Sequence, residues 1–159
     1  MGLDMYLERM PRGVKPNYEL GIEVGYWRKA NMIHDWFVNH VQDGIDDCGY
    51  HNEVTKEILE ELLDTCTKVY ESCTMIVGQV NNGSVYENGK WTACLEPGKV
   101  VIDPTVAKEL LPTTSGFFFG STDYDEYYVN KIENTIRIIN EVLETTDFET
   151  EAIYYISSW

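Results

Sequence analysis

Leu3-Asp4-Met5-Tyr6-Leu7-Glu8-Arg9 opens the chain by alternating apolar and polar side chains. A period of two marks a strand with one buried face. At the far end, Glu151-Ala152-Ile153-Tyr154-Tyr155-Ile156-Ser157 reads as another strand. The two are expected to pair in one sheet. Between them lie three long helical patterns and one stretch of turn signals. The fold class expected is therefore α+β: a small, mainly antiparallel sheet that includes both terminal strands, packed by three long helices, with a β-hairpin inserted around 84–95.

Working inward, Pro11, Gly13 and Pro16 make 11–18 a loop, and Leu20, Ile22 and Val24 mark a strand over 19–25. Residues 26–41 carry Ala30, Ile33, Phe37 and Val41 at helical spacing, with Trp27, Asn31, His34 and Val38 on the adjoining stripe. A helix over 53–73 follows, with Asn52 as its N-cap and Val54, Ile58, Leu62, Cys66, Val69 and Cys73 inward. Asn81-Asn82-Gly83, Asn88-Gly89 and Pro97-Gly98 are turn signals, and Asn-Gly between β-formers predicts a hairpin of 84–87 with 90–95. The insertion that holds it spans 74–103. Asp103-Pro104 opens a short helix that Pro112 stops. The third long helix runs over 123–144, with Thr122 and Asp125 as a capping-box variant and Tyr128, Ile132, Ile136, Ile139 and Leu143 inward.

The 159 residues suit one domain, 1–159, that buries about 70% of its unfolded surface. The formal charge is −15, from 27 acidic and 12 basic residues. Such a surface repels phosphate backbones at long range, so direct nucleic-acid binding is not expected, whereas basic protein surfaces are suitable partners. Cys48, Cys66, Cys73 and Cys94 include no CxxC pair and no zinc-finger spacing, and free thiols are expected. Met-Gly-Leu-Asp is not the start of a secretory signal, Tyr6 stands where myristoylation prefers Ser or Thr, and no apolar run is long enough to span a membrane. A cytoplasmic protein without membrane contact is expected.

Two segments could carry chemistry. In Tyr26–Phe37, the indole of Trp27, the guanidinium of Arg28, the amide of Asn31 and the imidazole of His34 could converge on a planar ligand. The competing reading is an amphipathic helix with aromatic packing and a satisfied histidine. In Gly116–Asp125, three Phe stand between two Gly, and Gly120-Ser121-Thr122 enters a helix whose free N–H groups suit an anion. Asp123 and Asp125 oppose this by supplying negative charge at the same terminus. The candidate ligand-binding residues are Trp27, Arg28, Asn31, His34, Phe118, Ser121, Tyr124 and Asp125. Asp43, Asp46 and Asp47 lack the pattern of a calcium loop and read as a solvated loop. No metal site and no cofactor are expected. Nucleophile elbow, P-loop, HExxH and dinucleotide-binding patterns are all missing, so catalysis is not favoured; His34 is the residue for acid–base work if the chain is an enzyme.

Several strings together resemble a family of small, functionally uncharacterised accessory proteins of tailed bacteriophages and prophages. They are the Met-Gly-Leu-Asp-Met-Tyr-Leu start, Tyr26-Trp27-Arg28-Lys29-Ala30-Asn31 with His34 and Trp36-Phe37, Gly116-Phe-Phe-Phe-Gly120 with Tyr124-Asp125, and the Ser157-Ser158-Trp159 end. The resemblance covers both ends and the middle but not 74–103, and no catalytic residue is carried over from it. It implies the cytoplasm of a bacterial host and a role against host defence. Combined with the polar-aromatic cluster, it leads to an accessory protein that binds a small, nucleotide-derived ligand of defence signalling. Combined with the charge, it leads to the alternative: an acidic inhibitor that docks on a host protein, in the extreme case as a DNA mimic.

Overall fold

Leu3, Met5 and Leu7 are fully buried while Asp4, Tyr6 and Glu8 are half-buried, which is the alternation of a strand covered closely on one face. The computed structural model describes residues 2–159. Strand β1 (Asp4–Pro11) pairs antiparallel with β2 (Ile22–Arg28) on one side and with the last strand, β6 (Glu151–Ser158), on the other. The terminal strands are thus the two central strands of the sheet, with Leu7 opposite Tyr155. A short strand, β3 (Asn52–Val54), adds to the far side of β6, giving the order β2-β1-β6-β3, antiparallel throughout.

The apolar face of this sheet meets the helices α1 (Asn31–Val41), α2 (Lys56–Ser72) and α4 (Glu126–Thr145) in one cluster. Leu59, Leu62, Cys66 and Val69 form the buried stripe of α2, and Tyr128, Ile132, Thr135, Ile139 and Val142 that of α4. Both stripes step by three and four residues, as one face of a helix requires. A short helix, α3 (Thr105–Leu110), precedes the loop that leads into α4. Among the described residues no helix is long and apolar enough to cross a membrane, and all four cysteines are free.

Between α2 and α3 the chain makes a hairpin of β4 (Met75–Glu87) and β5 (Lys90–Val101). The turn falls at Asn88-Gly89, with φ of 52° and 79°. Positive φ at both central residues is what a two-residue hairpin turn demands, and Asn-Gly meets it. The hairpin is longer than 84–95 because Asn81-Asn82-Gly83 is a bulge rather than a turn: Asn81 faces Leu95, and pairing resumes at Ser84 with Ala93. Pro97-Gly98 also stays within β5, opposite Gln79 and Gly78, since Pro is tolerated where an N–H is not needed by a partner. The inner end of the hairpin is fixed to the segment before α4 by Val101 N donating to the Tyr124 carbonyl (3.1 Å).

Three boundaries depart from the sequence expectation. The first helix begins at Asn31 and not at residue 26, because Tyr26, Trp27 and Arg28 pair with Tyr6, Met5 and Asp4 as the end of β2. Helical spacing of apolar residues was a coincidence of two elements meeting at Lys29, whose φ of 54° turns the chain between them. Helix α2 is capped by Thr55, whose side chain accepts from Ile58 N, while Asn52 lies in β3. Helix α4 is capped by Asp125 in place of Thr122.

Candidate functional site

Trp27 points from β2 into the core, 2% exposed, with its Nε1–H donating to Thr135 Oγ1 of α4 (2.9 Å) and its ring edge-on to Phe37. Asn31 is fully buried at the start of α1. Its Nδ2 donates to the carbonyls of Phe119 (3.1 Å) and Ser121 (2.9 Å), and its Oδ1 accepts from Thr114 N (2.9 Å). Asn31 therefore clamps the Thr114–Ser121 loop to the helix.

His34, one turn further, is 2% exposed. Its Nδ1 lies 2.6 Å from Tyr155 Oη and its Nε2 2.8 Å from Asp46 Oδ2. Burial raises the Tyr155 phenol well above its ordinary pKa, so its hydroxyl stays protonated and donates to Nδ1. The tautomer assigned by this network puts the other proton on Nε2, which donates to Asp46. Asp46 Oδ2 also accepts from the Trp159 indole N–H (3.1 Å), and that ring packs edge-on to Phe119. The acidic loop 43–47 is thus tied to the core through Asp46, and the terminal Trp closes over it. Both nitrogens of His34 are engaged within the fold, which leaves none facing a substrate.

Tyr124 and Asp125 also serve the frame. Tyr124 Oη accepts from Thr113 N (3.0 Å), and Asp125 Oδ1 accepts from Tyr128 N (3.1 Å) at the head of α4. Burial pushes the Asp125 carboxyl above the usual range, against the pull of the backbone N–H groups of Tyr128 and Tyr127. Phe118 is exposed, adopts φ of 64°, and offers its carbonyl to Leu3 N (3.3 Å).

Arg28 and Ser121 have a different setting. With Lys29, Lys131, Asn81 and Ser84 they line an open groove of about 710 Å³ between the end of β2, the α4 head and the hairpin bulge. Lys29 and Lys131 come from elements 102 residues apart, joined by Lys131 Nζ donating to the Lys29 carbonyl (2.9 Å). Burial lowers the Lys131 pKa, and the Lys29 charge lowers it further, while Asp125 opposes both. Arg28 reaches Asp4 at 3.9 Å with its side chain 56% exposed, a loose pair that leaves most of the guanidinium free. Among the described residues neither lysine is matched by a carboxylate within ion-pair distance. Among the described residues Asp123 is the one acidic residue lining the groove. Gly120 is required at its wall, since a Cβ there would lie 3.0 Å from Lys29 Cβ.

Of the eight candidate residues, the structure brings Arg28 and Ser121 to this groove and spends Trp27, Asn31, His34, Tyr124 and Asp125 on internal bonds; Phe118 lies at the loop beside it. Lys29 stood next to Arg28 in the sequence as a visible basic pair. Lys131 carried no sequence signal and Asn81-Asn82-Gly83 signalled only a turn, because only the fold brings them together. Among the described residues no group of three His, Cys, Asp or Glu is placed to hold a metal ion. Comparison with protein-family models, with curated proteins and with solved structures finds no significant match to this chain.

Proposed function

We propose that this protein binds a small, anionic, nucleotide-derived ligand in the groove of Arg28, Lys29 and Lys131. The observation that carries the reading is the convergence of three cations, two of them without a carboxylate partner, on one open groove of a chain with formal charge −15. Desolvating an ammonium costs free energy, and a partly buried Lys131 beside Lys29 is a poor arrangement for the empty protein. An anion in the groove relieves it. The amide and hydroxyl groups of Asn81, Asn82 and Ser84 on the opposite wall can donate to the same oxygens. In the setting that the sequence resemblance suggests, the protein is a phage accessory factor in the cytoplasm of a bacterial host, and the ligand is a nucleotide signal of host defence that it sequesters.

The test is thermal unfolding with and without a panel of nucleotides and cyclic nucleotides. A ligand at a hundredfold excess over its dissociation constant adds about 2.7 kcal/mol, roughly 5–11 °C for a chain of this size. Loss of that rise in Lys131→Met would assign it to the groove. A midpoint that no member of the panel moves would overturn the reading.

A second reading is supported by the outer face of α2, where Glu57, Glu60, Glu61, Asp64 and Glu71 are all exposed and only Lys56 and Lys68 stand among them. That face suits a basic groove on a host protein, and such a complex would weaken steeply with salt.

A further inference from the structure

A second compartment of about 380 Å³ adjoins the cationic groove and shares Arg28, Tyr127 and Lys131 with it. Its own residues are of another kind. Tyr127 brings a partly exposed ring, Trp27 and Ala30 form an apolar floor beside Tyr26, and Asn130 and Asn134 bring amides. No carboxylate lines it among the described residues, although 27 of 159 residues in the chain are acidic.

Tyr127 Oη donates to Glu96 Oε1 (3.0 Å), which holds its ring in place, whereas the Tyr26 ring lies on the other face of the sheet against Tyr6, with its Oη donating to Asp4 Oδ1 (2.6 Å). Asn134 Oδ1 accepts from Arg137 (2.7 Å), which turns its Nδ2 into a donor with no partner of its own. A held aromatic ring with a free amide donor suits a heterocyclic base, which stacks on the ring and accepts at its edge.

We infer that the two compartments form one bipartite site for a nucleoside monophosphate, with the phosphoryl group among Arg28, Lys29 and Lys131 and the base against Tyr127, read by Asn130 and Asn134. The charge favours one phosphate over several. Three cations against the carboxylates of Asp123 and of Asp4 beside Arg28 leave about one positive charge, to which the −1.5 to −2 of about one phosphate monoester near pH 7 comes nearest. A triphosphate would bring more negative charge than the groove offsets and would meet a protein that is itself strongly negative. This site rests on the reading of the groove as an anion site and adds to it the base compartment and the single phosphate.

The experiment is calorimetric titration of the full chain with the four ribonucleoside 5′-monophosphates, ribose 5-phosphate and inorganic phosphate. At least one nucleotide should bind about tenfold or more tightly than ribose 5-phosphate, the size of effect that stacking of one base supplies. Tyr127→Ala should bring that nucleotide down to the level of ribose 5-phosphate and leave ribose 5-phosphate unchanged. Tyr127→Phe should retain most of the preference, and Asn134→Leu should reduce it without altering ribose 5-phosphate. Lys131→Met should weaken every phosphate compound. If nucleotides and ribose 5-phosphate bind equally, the base compartment is refuted while the anion groove stands. If no phosphate compound binds, both readings fall together.

Discussion

Asn31 satisfies with one side chain three backbone groups that no other residue reaches: the carbonyls of Phe119 and Ser121 and the N–H of Thr114. All three lie in a loop without regular structure, which bonds none of them to itself. Replacing Asn31 by Ala strands them beneath a fully buried position. Each unmet group costs about 1–3 kcal/mol, and partial relaxation leaves an expected loss of about 2–4 kcal/mol in Asn31→Ala. Urea unfolding should show the lower midpoint with an unchanged slope. A loss below about 1 kcal/mol would mean that the loop is held by other contacts. The same residue shows why the candidate site was only partly legible in the sequence. A buried amide looks identical in a sequence whether its partner is a ligand or a backbone some 90 residues away. His34 misleads in the same way, since its partners Tyr155 and Asp46 come from a distant strand and a loop. Arg28 was readable because a charge that long cannot be absorbed by the core.

At the scale of elements, the hairpin stands apart from the rest. It has two strands, and its buried positions sit towards its inner end, at Val80 (2% exposed) and Val101 (7%). Towards the turn, Tyr86 and Trp91 pair across the strands at 5.4 Å between rings, yet are 62% and 72% exposed. A two-stranded ribbon without a covering layer is marginal in water. Amide hydrogen exchange should therefore be fast over 84–93 and slow in β1 and β6, where openings approach the global free energy. Protection at the turn equal to that of β6 would show that the ribbon is covered in solution. The bulge at Asn81–Ser84 lies between these regimes and lines the cationic groove, so a bound anion should slow exchange there first. The turn of this hairpin was legible because Asn88-Gly89 decides its conformation locally. The end of β2 was not: Tyr26–Arg28 is strand only because β1 lies beside it, a partner that helical spacing within the segment does not see. The three residues of β3 are too few to show any period.

For the whole molecule the balance to be decided is between ion pairs and net charge. Six Lys or Arg pairs with carboxylates within 4.0 Å are formed among the described residues, but those within α2 and α4 are exposed i,i+4 contacts such as Lys68–Asp64 and Arg137–Glu141. Each such pair is worth roughly 0–1 kcal/mol, and salt removes part of that. Against them stands the mutual repulsion of 15 uncompensated negative charges, which compaction raises and unfolding relieves. Raising ionic strength from about 0.01 M to 0.15 M shortens the screening length from about 30 Å to 8 Å. That change is large for charges on opposite sides of the molecule and small for pairs at 3–4 Å, so the repulsion is screened first. Stability should therefore rise with sodium chloride across this range, by about 1 kcal/mol or more, which moves the thermal midpoint by roughly 2–4 °C. The groove adds a control within the same experiment. Its three cations repel one another, and an anion from the salt relieves them just as a ligand would. Lys131→Met removes that local contribution but not the global one, so the variant should keep most of the rise. A midpoint that falls with salt would show instead that the ion pairs outweigh the net charge.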